Sequence, residues 1–222
     1  MNLVLPCFPL VGAVMGSIWY GVATVLVSIG VHTMLAAVLV SVTPFALSGL
    51  IHLDGYIDTS DALLSGRPLE EKIRILKDPH GGAFSSVMTG MLLLTQFAGV
   101  YAILDRKVRL GVLILIPILS RCCAALALMC LKTMPSSQYG PMFTKGTGKI
   151  HRMFVVGIAI ITLVLSYLFL GPVAVAVLLS AIAAYAGAAI WTYRVFEGFS
   201  GDLTGFALEI SELSALVVMG VL

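Results

Sequence analysis

The chain has 222 residues, of which 59% are hydrophobic and 11% are charged, whereas soluble domains carry roughly 25% charged residues. This composition excludes an ordinary soluble domain and predicts a polytopic all-α membrane protein with the lipid bilayer as its solvent. The formal net charge of +2 and the lack of a long Lys/Arg run give no sign of a nucleic-acid partner.

Apolar segments long enough to cross a bilayer recur along the whole chain and predict six or seven transmembrane helices in a single domain, residues 1–222. The segments lie near 8–30, 33–51, 84–104, 110–131, 153–170 and 172–193, with a seventh helix at about 203–222. The N-terminus has no basic n-region and no small-residue cleavage site, so we expect the first apolar segment to be retained.

The charged residues divide unevenly between the two ends of these helices. Nine basic residues fall in connections on one side: Arg67, Lys72, Arg74, Lys77, Lys132, Lys145, Lys149, Arg152 and Arg194. Three fall on the other side: Arg106, Lys107 and Arg109. The positive-inside rule places the richer side in the cytoplasm of a prokaryotic cell. Ten of the eleven acidic residues follow it, so we expect a cytoplasmic active site in acidic segments near 52–83 and 197–212.

The first acidic segment, HLDGYIDTSDALLSG, carries Asp54, Asp58 and Asp61 at spacings that share one face of a helix. Neighbouring carboxylates repel one another unless a cation lies between them. Mg²⁺ commonly binds one or two protein carboxylates together with substrate phosphates, so the pattern predicts a magnesium site for a diphosphate substrate. The structural alternative is a solvated helix face with Asp54 as N-cap. His52 could assist the metal or contact substrate, although an interfacial hydrogen bond is its more ordinary role.

A short helix is predicted next, within RPLEEKIRILK, because Pro68 stands near its first position and acidic residues fill its first turn. Leu69, Ile73 and Leu76 form an apolar stripe on it. The stripe predicts an interfacial helix with basic residues in the headgroup layer.

The KDPHGG turn that follows offers further polar groups. Lys77 could neutralise phosphate charge, Asp78 could complete a metal shell or contact substrate, and His80 is a candidate acid, base or phosphate contact. The alternative is a plain turn formed by Asp78 and Pro79. The other long polar connection, residues 132–152, is either a linker or a segment that folds over a substrate.

Ionisable residues also lie inside the apolar segments of the second half. Asp202, Glu209 and Glu212 belong to the last helix and are predicted to face the first acidic helix, where they could complete the metal site. An N-cap role is the alternative for Asp202. Arg121 is the one basic residue within a predicted span, and either a phosphate clamp or an ion pair with Glu209 or Glu212 would explain it.

Five ordered blocks of this sequence resemble the cobalamin synthase family, the adenosylcobinamide-GDP ribazoletransferases. They are FPLVG at 8–12, HLDGYIDTSDAL at 52–63, ILKDPHGGAF at 75–84, the LSR ending at Arg121, and GFSGDLTGFALEISEL at 198–213. The blocks span nearly the whole chain.

The resemblance implies an Mg²⁺-dependent integral membrane enzyme of the prokaryotic inner membrane. It would join α-ribazole, or its 5′-phosphate, to adenosylcobinamide-GDP and release GMP, and association with other enzymes of the pathway is an expectation. On this interpretation Asp202 and His80 are the catalytic candidates. Metal binding falls to Asp54, Asp58, Asp61, Glu209 and Glu212, and substrate binding to His52, Lys77, Asp78 and Arg121.

The sequence departs from the family pattern at several positions. Pro79 and His80 stand where Ser-Arg is usual, Leu208 replaces an Asn, and Glu197 replaces a Gly. Family members usually carry a further N-terminal segment of a few tens of residues before FPLVG.

Two other functions fit parts of the pattern. A prenyl-diphosphate or CDP-alcohol transferase would also use acidic helices and Mg²⁺, but Asp54-Gly55 is not followed by the spacing of the CDP-alcohol motif. An ion-coupled transporter would use Arg121, Glu209 and Glu212 as pathway residues, yet most acidic residues lie at one face and no internal repeat is evident.

Overall fold

The computed structural model describes residues 4–78, 80–134 and 147–222. Within these ranges the chain folds almost entirely into helices. They are α1 (Val4–Ser28), α2 (Thr33–Leu47), α3 (Ile51–Leu64), α4 (Leu69–Ile75), α5 (Ala83–Asp105), α6 (Val112–Cys130), α7 (Lys149–Leu170), α8 (Pro172–Phe196) and α9 (Gly201–Val221). The β-pairing in this part of the chain is limited to an isolated parallel bridge between Thr133 and Phe199.

Six of the described helices are long and apolar enough to cross a membrane, namely α1 and α5 to α9. The pair α2 and α3 makes a seventh crossing if the two are counted as one bent span. The prediction of a polytopic helical membrane protein with six or seven spans is confirmed, and the predicted ends lie within four residues of the observed ones at each of the six helices.

The predicted span 33–51 differs most from the structure, because α2 ends at Leu47 and the chain bends by 90° before α3 begins. Gly49 and Leu50 both have positive φ, at 62° and 65°. The amide of Leu50 donates to the carbonyl of Phe45 at 3.0 Å, which closes the helix end and turns the chain. The turn leaves the acidic segment on a helix of its own.

Residues from α1 and α5 stabilise α2 near its proline. Pro44 has no N–H, so the Val40 carbonyl one turn earlier lacks its usual helical donor. The indole N–H of Trp19 donates to that carbonyl at 2.8 Å. The side-chain amide of Gln96 donates to the next carbonyl, that of Ser41, also at 2.8 Å. Both bonds satisfy backbone groups where a bilayer supplies no water.

Apolar packing is divided between two ends of the bundle. Helix α8 contributes residues 174–181 to one cluster and 185–196 to the other. Helix α9 runs the opposite way, with residues 203–208 in the second cluster and 215–219 in the first. The second cluster also contains Tyr56 and Leu63 of α3, so the acidic helix packs at that end.

The predicted short helix is confirmed as α4, and its apolar stripe contacts protein. Leu76 is buried, and Leu69 and Ile73 pack against the second cluster. This packing holds α4 beside α3 and α8. Residues 135–146 of the long polar connection lie outside the described ranges, and its suggested role as a cover over substrate stays a prediction.

Candidate active site

The acidic helices α3 and α9 cross in direct backbone contact. A Cβ atom at Gly55 would lie 2.7 Å from the carbonyl oxygen of Asp202, and one at Gly205 would lie 3.0 Å from the carbonyl oxygen of His52. Tyr56 and Phe206 stack beside this crossing with ring centroids 5.3 Å apart. The two glycines therefore let the helices approach closely enough to bring both acidic segments together, as the sequence predicted.

Four carboxylates interact electrostatically at the solvent-exposed end of the helix crossing, which we call the open end. Asp54, Asp202 and Asp61 are the charged groups that act on Asp58, and Asp54 also acts on Asp202. Asp54 and Asp202 are exposed, and Asp58 is half-buried. Within the described residues none of these carboxylates forms an ion pair with a basic side chain. The open end therefore concentrates negative charge that a divalent cation would offset.

The N-cap alternatives for Asp54 and Asp202 are not what the structure shows. Leu50 occupies the N-cap of α3, and Asp54 lies in the first turn. At α9 the hydroxyl of Ser200 caps the helix by accepting from the amide of Leu203 at 3.3 Å. Neither aspartate is therefore the N-cap residue of its helix.

Asp61 is engaged differently from the other three aspartates. Its Oδ1 accepts from the backbone amide of Ser85 at 3.3 Å, in the first turn of α5. Its carboxylate also lies over Gly82, where a Cβ atom would collide with it. A carboxylate at a helix N-terminus is stabilised by free amides and by the helix dipole. Asp61 thus ties α3 to α5.

A second polar group lies deeper in the bundle. Glu209 and Glu212 follow Asp202 by seven and ten residues, which places them about 10 and 15 Å further along α9. Arg121 of α6 forms an ion pair with Glu212, and both side chains are almost fully buried. Of the two explanations left open for Arg121, the structure shows the ion pair.

Two further residues complete this deep group. The hydroxyl of Ser120 donates to Glu212 at 2.8 Å, and Nη2 of Arg121 lies 3.5 Å from Nδ1 of His52. Glu209 is 6% exposed and has Glu212 and Arg121 as charged neighbours. His52 therefore contacts the ion pair from α3, whereas Asp54 and Asp58 of the same helix belong to the open end.

The structure brings the six predicted acidic residues to one region but at two depths. No group of three or more His, Cys, Asp or Glu side chains among the described residues is already arranged to hold a metal ion. The carboxylate oxygens at the open end still fit Mg²⁺, which needs only one or two protein carboxylates when substrate phosphates and water supply the rest. The metal-binding assignments stay predictions.

The KDPHGG turn forms a separate, exposed polar group. Oδ1 of Asp78 accepts from the backbone amide of His80 at 3.0 Å and lies 2.9 Å from its Nδ1. These hydrogen bonds from His80 lower the pKa of Asp78. Lys77 is exposed. The turn reaches the acidic helix through Gly82, and the predicted roles of Lys77, Asp78 and His80 stay open.

Comparison with known proteins extends the resemblance to the whole chain. The family model described as cobalamin-5-phosphate synthase matches residues 1–220. The chain belongs to the cobalamin-5-phosphate synthase family.

Relatives from distant bacteria agree with this membership. An adenosylcobinamide-GDP ribazoletransferase of Clostridium perfringens strain 13 is 33% identical over 220 residues, which cover 99% of this chain and 87% of the relative. Proteins of the same name from Clostridium botulinum strain Alaska E43 and Pseudomonas syringae pv. syringae B728a are each 32% identical. The first match covers 95% of this chain and 83% of the relative, and the second 97% and 86%. No solved structure matches the chain.

Several residues that build the site in this member of the cobalamin-5-phosphate synthase family were not selected from the sequence. Gly55 and Gly205 permit the helix crossing, and Ser120 bonds the buried Glu212. In the sequence, Ser120 could have been recognised as a hydroxyl residue next to an arginine inside a predicted span. The helix crossing could have been recognised from the glycines inside otherwise helical, acidic segments.

Proposed function

We propose that the protein is an Mg²⁺-dependent transferase of the bacterial cytoplasmic membrane. It joins α-ribazole, or its 5′-phosphate, to adenosylcobinamide-GDP and releases GMP. The support from the comparisons is that its relatives are named adenosylcobinamide-GDP ribazoletransferases. The observation that carries the proposal is the group of carboxylates where α3 crosses α9, none of which forms an ion pair among the described residues, in a chain that matches the family model over residues 1–220.

Asp54, Asp58 and Asp202 are the residues we expect to hold the metal, since they lie at the open end and none forms an ion pair among the described residues. Bound Mg²⁺ would supply a positive centre that binds diphosphate oxygens and offsets their developing charge. Asp61 would support this group indirectly, because its hydrogen bond from the Ser85 amide holds α3 against α5. We assign Glu209 and Glu212 to the deep group and not to the metal in this proposal, since both are buried and Glu212 forms an ion pair with Arg121.

The transfer requires one bond to form and one to break at phosphorus. The ribazole hydroxyl oxygen attacks the cobinamide-linked phosphorus, and the phosphoanhydride bond to GMP breaks. The hydroxyl proton passes to a carboxylate oxygen. We propose Asp202 for this role, with one of its oxygens holding the metal and the other accepting the proton, because Asp202 is exposed and forms no ion pair among the described residues. Lys77 and His80 on the exposed turn would contact phosphate oxygens of the departing GMP.

The charge distribution supports a cytoplasmic orientation for this site. By the sequence division, nine basic residues fall on the acidic side of the spans and three on the opposite side. In the described structure the opposite end closes where Arg106 donates to the carbonyls of Gly220 and Val221. The nucleotide substrates are cytoplasmic molecules on this proposal, so they meet the acidic end without crossing the bilayer.

The test is GMP release by purified protein in nanodiscs, supplied with adenosylcobinamide-GDP and α-ribazole, with Mg²⁺ or with EDTA. We expect Mg²⁺-dependent GMP coupled to a cobalamin product. Asp58→Asn and Asp202→Asn should reduce the rate by about a hundredfold or more. Asp105→Asn is the matched control, because Asp105 lies at the opposite end of α5.

Folded wild-type protein that releases no GMP under any of these conditions would overturn the proposal. GMP release that persists in EDTA would refute its metal-dependent part alone. Turnover of prenyl diphosphates or CDP-alcohols in place of the cobinamide substrate would replace it with the transferase alternative.

A further inference from the structure

Helices α1 and α6 pack backbone against backbone at two glycines. A Cβ atom at Gly12 would collide with the carbonyl of Pro117, and one at Gly16 would collide with the carbonyl of Ile114. The glycines lie one turn apart and face the same helix. Only Gly12 also faces a functional side chain, since its Cβ atom would lie 2.9 Å from Cδ of Arg121.

The Arg121 side chain connects the three helices that bear the polar groups of the site. It starts on α6, its Nη1 binds Glu212 on α9 and Ser120 on its own helix, and Nη2 approaches His52 on α3. The arginine is 1% exposed. Its guanidinium is therefore shielded from solvent.

Helix α1 reaches the same group through a second residue. The ring of Phe8 meets the ring of His52 edge to face, with centroids 6.4 Å apart and an interplanar angle of 78°. Phe8 and Gly12 lie one turn apart on one face of α1. This face supports both the arginine and the histidine that touches it.

We infer that Gly12 and Arg121 are positioning residues for the carboxylate site. The bare backbone at Gly12 fixes the stem of Arg121 between α1 and α6, and Arg121 fixes α9 through Glu212 and α3 through His52. These two helices carry Asp202 and Asp58, whose relative placement sets the metal site. The inference rests on the proposed function. It also gives a structural role to the FPLVG block, which contains Phe8 and Gly12.

A matched pair of variants tests the role of Gly12. Gly12→Ala and Gly16→Ala add the same methyl group against an α6 carbonyl, so both should lower the thermal unfolding midpoint in nanodiscs to a similar extent. Only Gly12→Ala should also weaken Mn²⁺ binding, measured by electron paramagnetic resonance, and lower kcat for GMP release. Loss of an outer support of this kind costs about tenfold to a hundredfold.

Equal losses of Mn²⁺ affinity in both variants would overturn the inference, as would unchanged affinity and kcat in Gly12→Ala. The Mn²⁺ measurement does not need turnover. A wild-type protein that binds Mn²⁺ but releases no GMP would therefore refute the proposed function and leave the positioning test intact.

A second set of variants separates positioning from phosphate binding and serves also if Gly12→Ala does not fold. Arg121→Met leaves Glu212 buried without its ion-pair partner, whereas Arg121→Met combined with Glu212→Met replaces the pair by apolar groups of similar size. We expect the double variant to recover kcat by about tenfold or more over the single variant. A folded double variant as inactive as Arg121→Met would show that the guanidinium itself acts on substrate, and the inference would fail.

Discussion

Gly55 of α3 lies against the backbone of Asp202 in α9, so that a Cβ atom at position 55 would lie 2.7 Å from the Asp202 carbonyl oxygen. Carbonyl oxygens of a packed helix cannot move aside as a flexible side chain can. The distance between the two acidic helices therefore depends on the absence of a side chain at this position.

We predict that Gly55→Ala lowers the rate of GMP release by about a hundredfold, because a displacement near 1 Å at a reacting centre has an effect of that size. The matched control is Gly90→Ala in α5, where a Cβ atom meets no other heavy atom within 4 Å. Alanine favours the helix over glycine by about 0.8 to 1 kcal/mol at both positions. The prediction fails if the two variants have similar rates in nanodiscs.

Asp61 and Asp58 should respond differently to the same substitution. An asparagine at 61 keeps a side-chain oxygen that can accept from the Ser85 amide, so we expect Asp61→Asn to retain activity within about tenfold of wild type. Asp58→Asn should lose about a hundredfold or more, since no backbone amide of the described residues donates to its carboxylate and we expect that carboxylate to hold the metal.

The two variants are compared by their initial rates of GMP release at saturating Mg²⁺. A third variant, Asp61→Ala, also removes the side-chain oxygen that accepts from the Ser85 amide. Equal, severe losses in Asp61→Asn and Asp58→Asn would show that Asp61 binds metal, as its spacing in the sequence first suggested. A loss restricted to Asp61→Ala would confirm the capping role.

The number and extent of the spans could be predicted because a membrane helix needs only apolar length, which the sequence displays directly. The bend after α2 could not be placed in the same way. Residues 33–51 are predominantly apolar, and the local signs of a break were Pro44 and the Ser48-Gly49 pair. The left-handed conformations of Gly49 and Leu50 depend on packing at the helix end rather than on composition.

The site was predictable in its residues but only partly in its arrangement. Helical spacing places Asp202 and Glu209 on one face, and that same spacing separates them by about 10 Å along the axis. The partner of Arg121 depends on the register between α6 and α9, which no pattern within either helix encodes. The pairing of Arg121 with Glu212 could therefore be identified only from the folded structure.

Trp19 should stabilise the fold through its bond to the Val40 carbonyl. Trp19→Phe keeps an aromatic ring but leaves that carbonyl without the indole donor, because Pro44 cannot supply one. Hydrogen bonds of this kind inside membranes contribute about 0.6 to 2 kcal/mol, so we expect a lower thermal unfolding midpoint in detergent.

The chain offers a matched control in Trp191, its other tryptophan, which is half exposed and contacts Phe206 edge to face. Trp191→Phe should leave the midpoint nearly unchanged. A smaller shift for Trp19→Phe than for Trp191→Phe would contradict the proposed role of the bond, and a size-exclusion profile of each variant checks that both remain monodisperse.

Metal binding should distinguish the open end of the crossing from the deep group. The sequence placed Glu209 among the metal ligands, but Glu209 is buried beside Glu212 and Arg121. We predict that Glu209→Gln retains Mn²⁺ affinity within about threefold, whereas Asp58→Asn weakens it by about tenfold to a hundredfold. Electron paramagnetic resonance of free Mn²⁺ gives both affinities without substrate. If Glu209→Gln instead releases the ion and Asp58→Asn does not, the metal belongs to the deep group, and α9 must shift along α3 when the site is occupied.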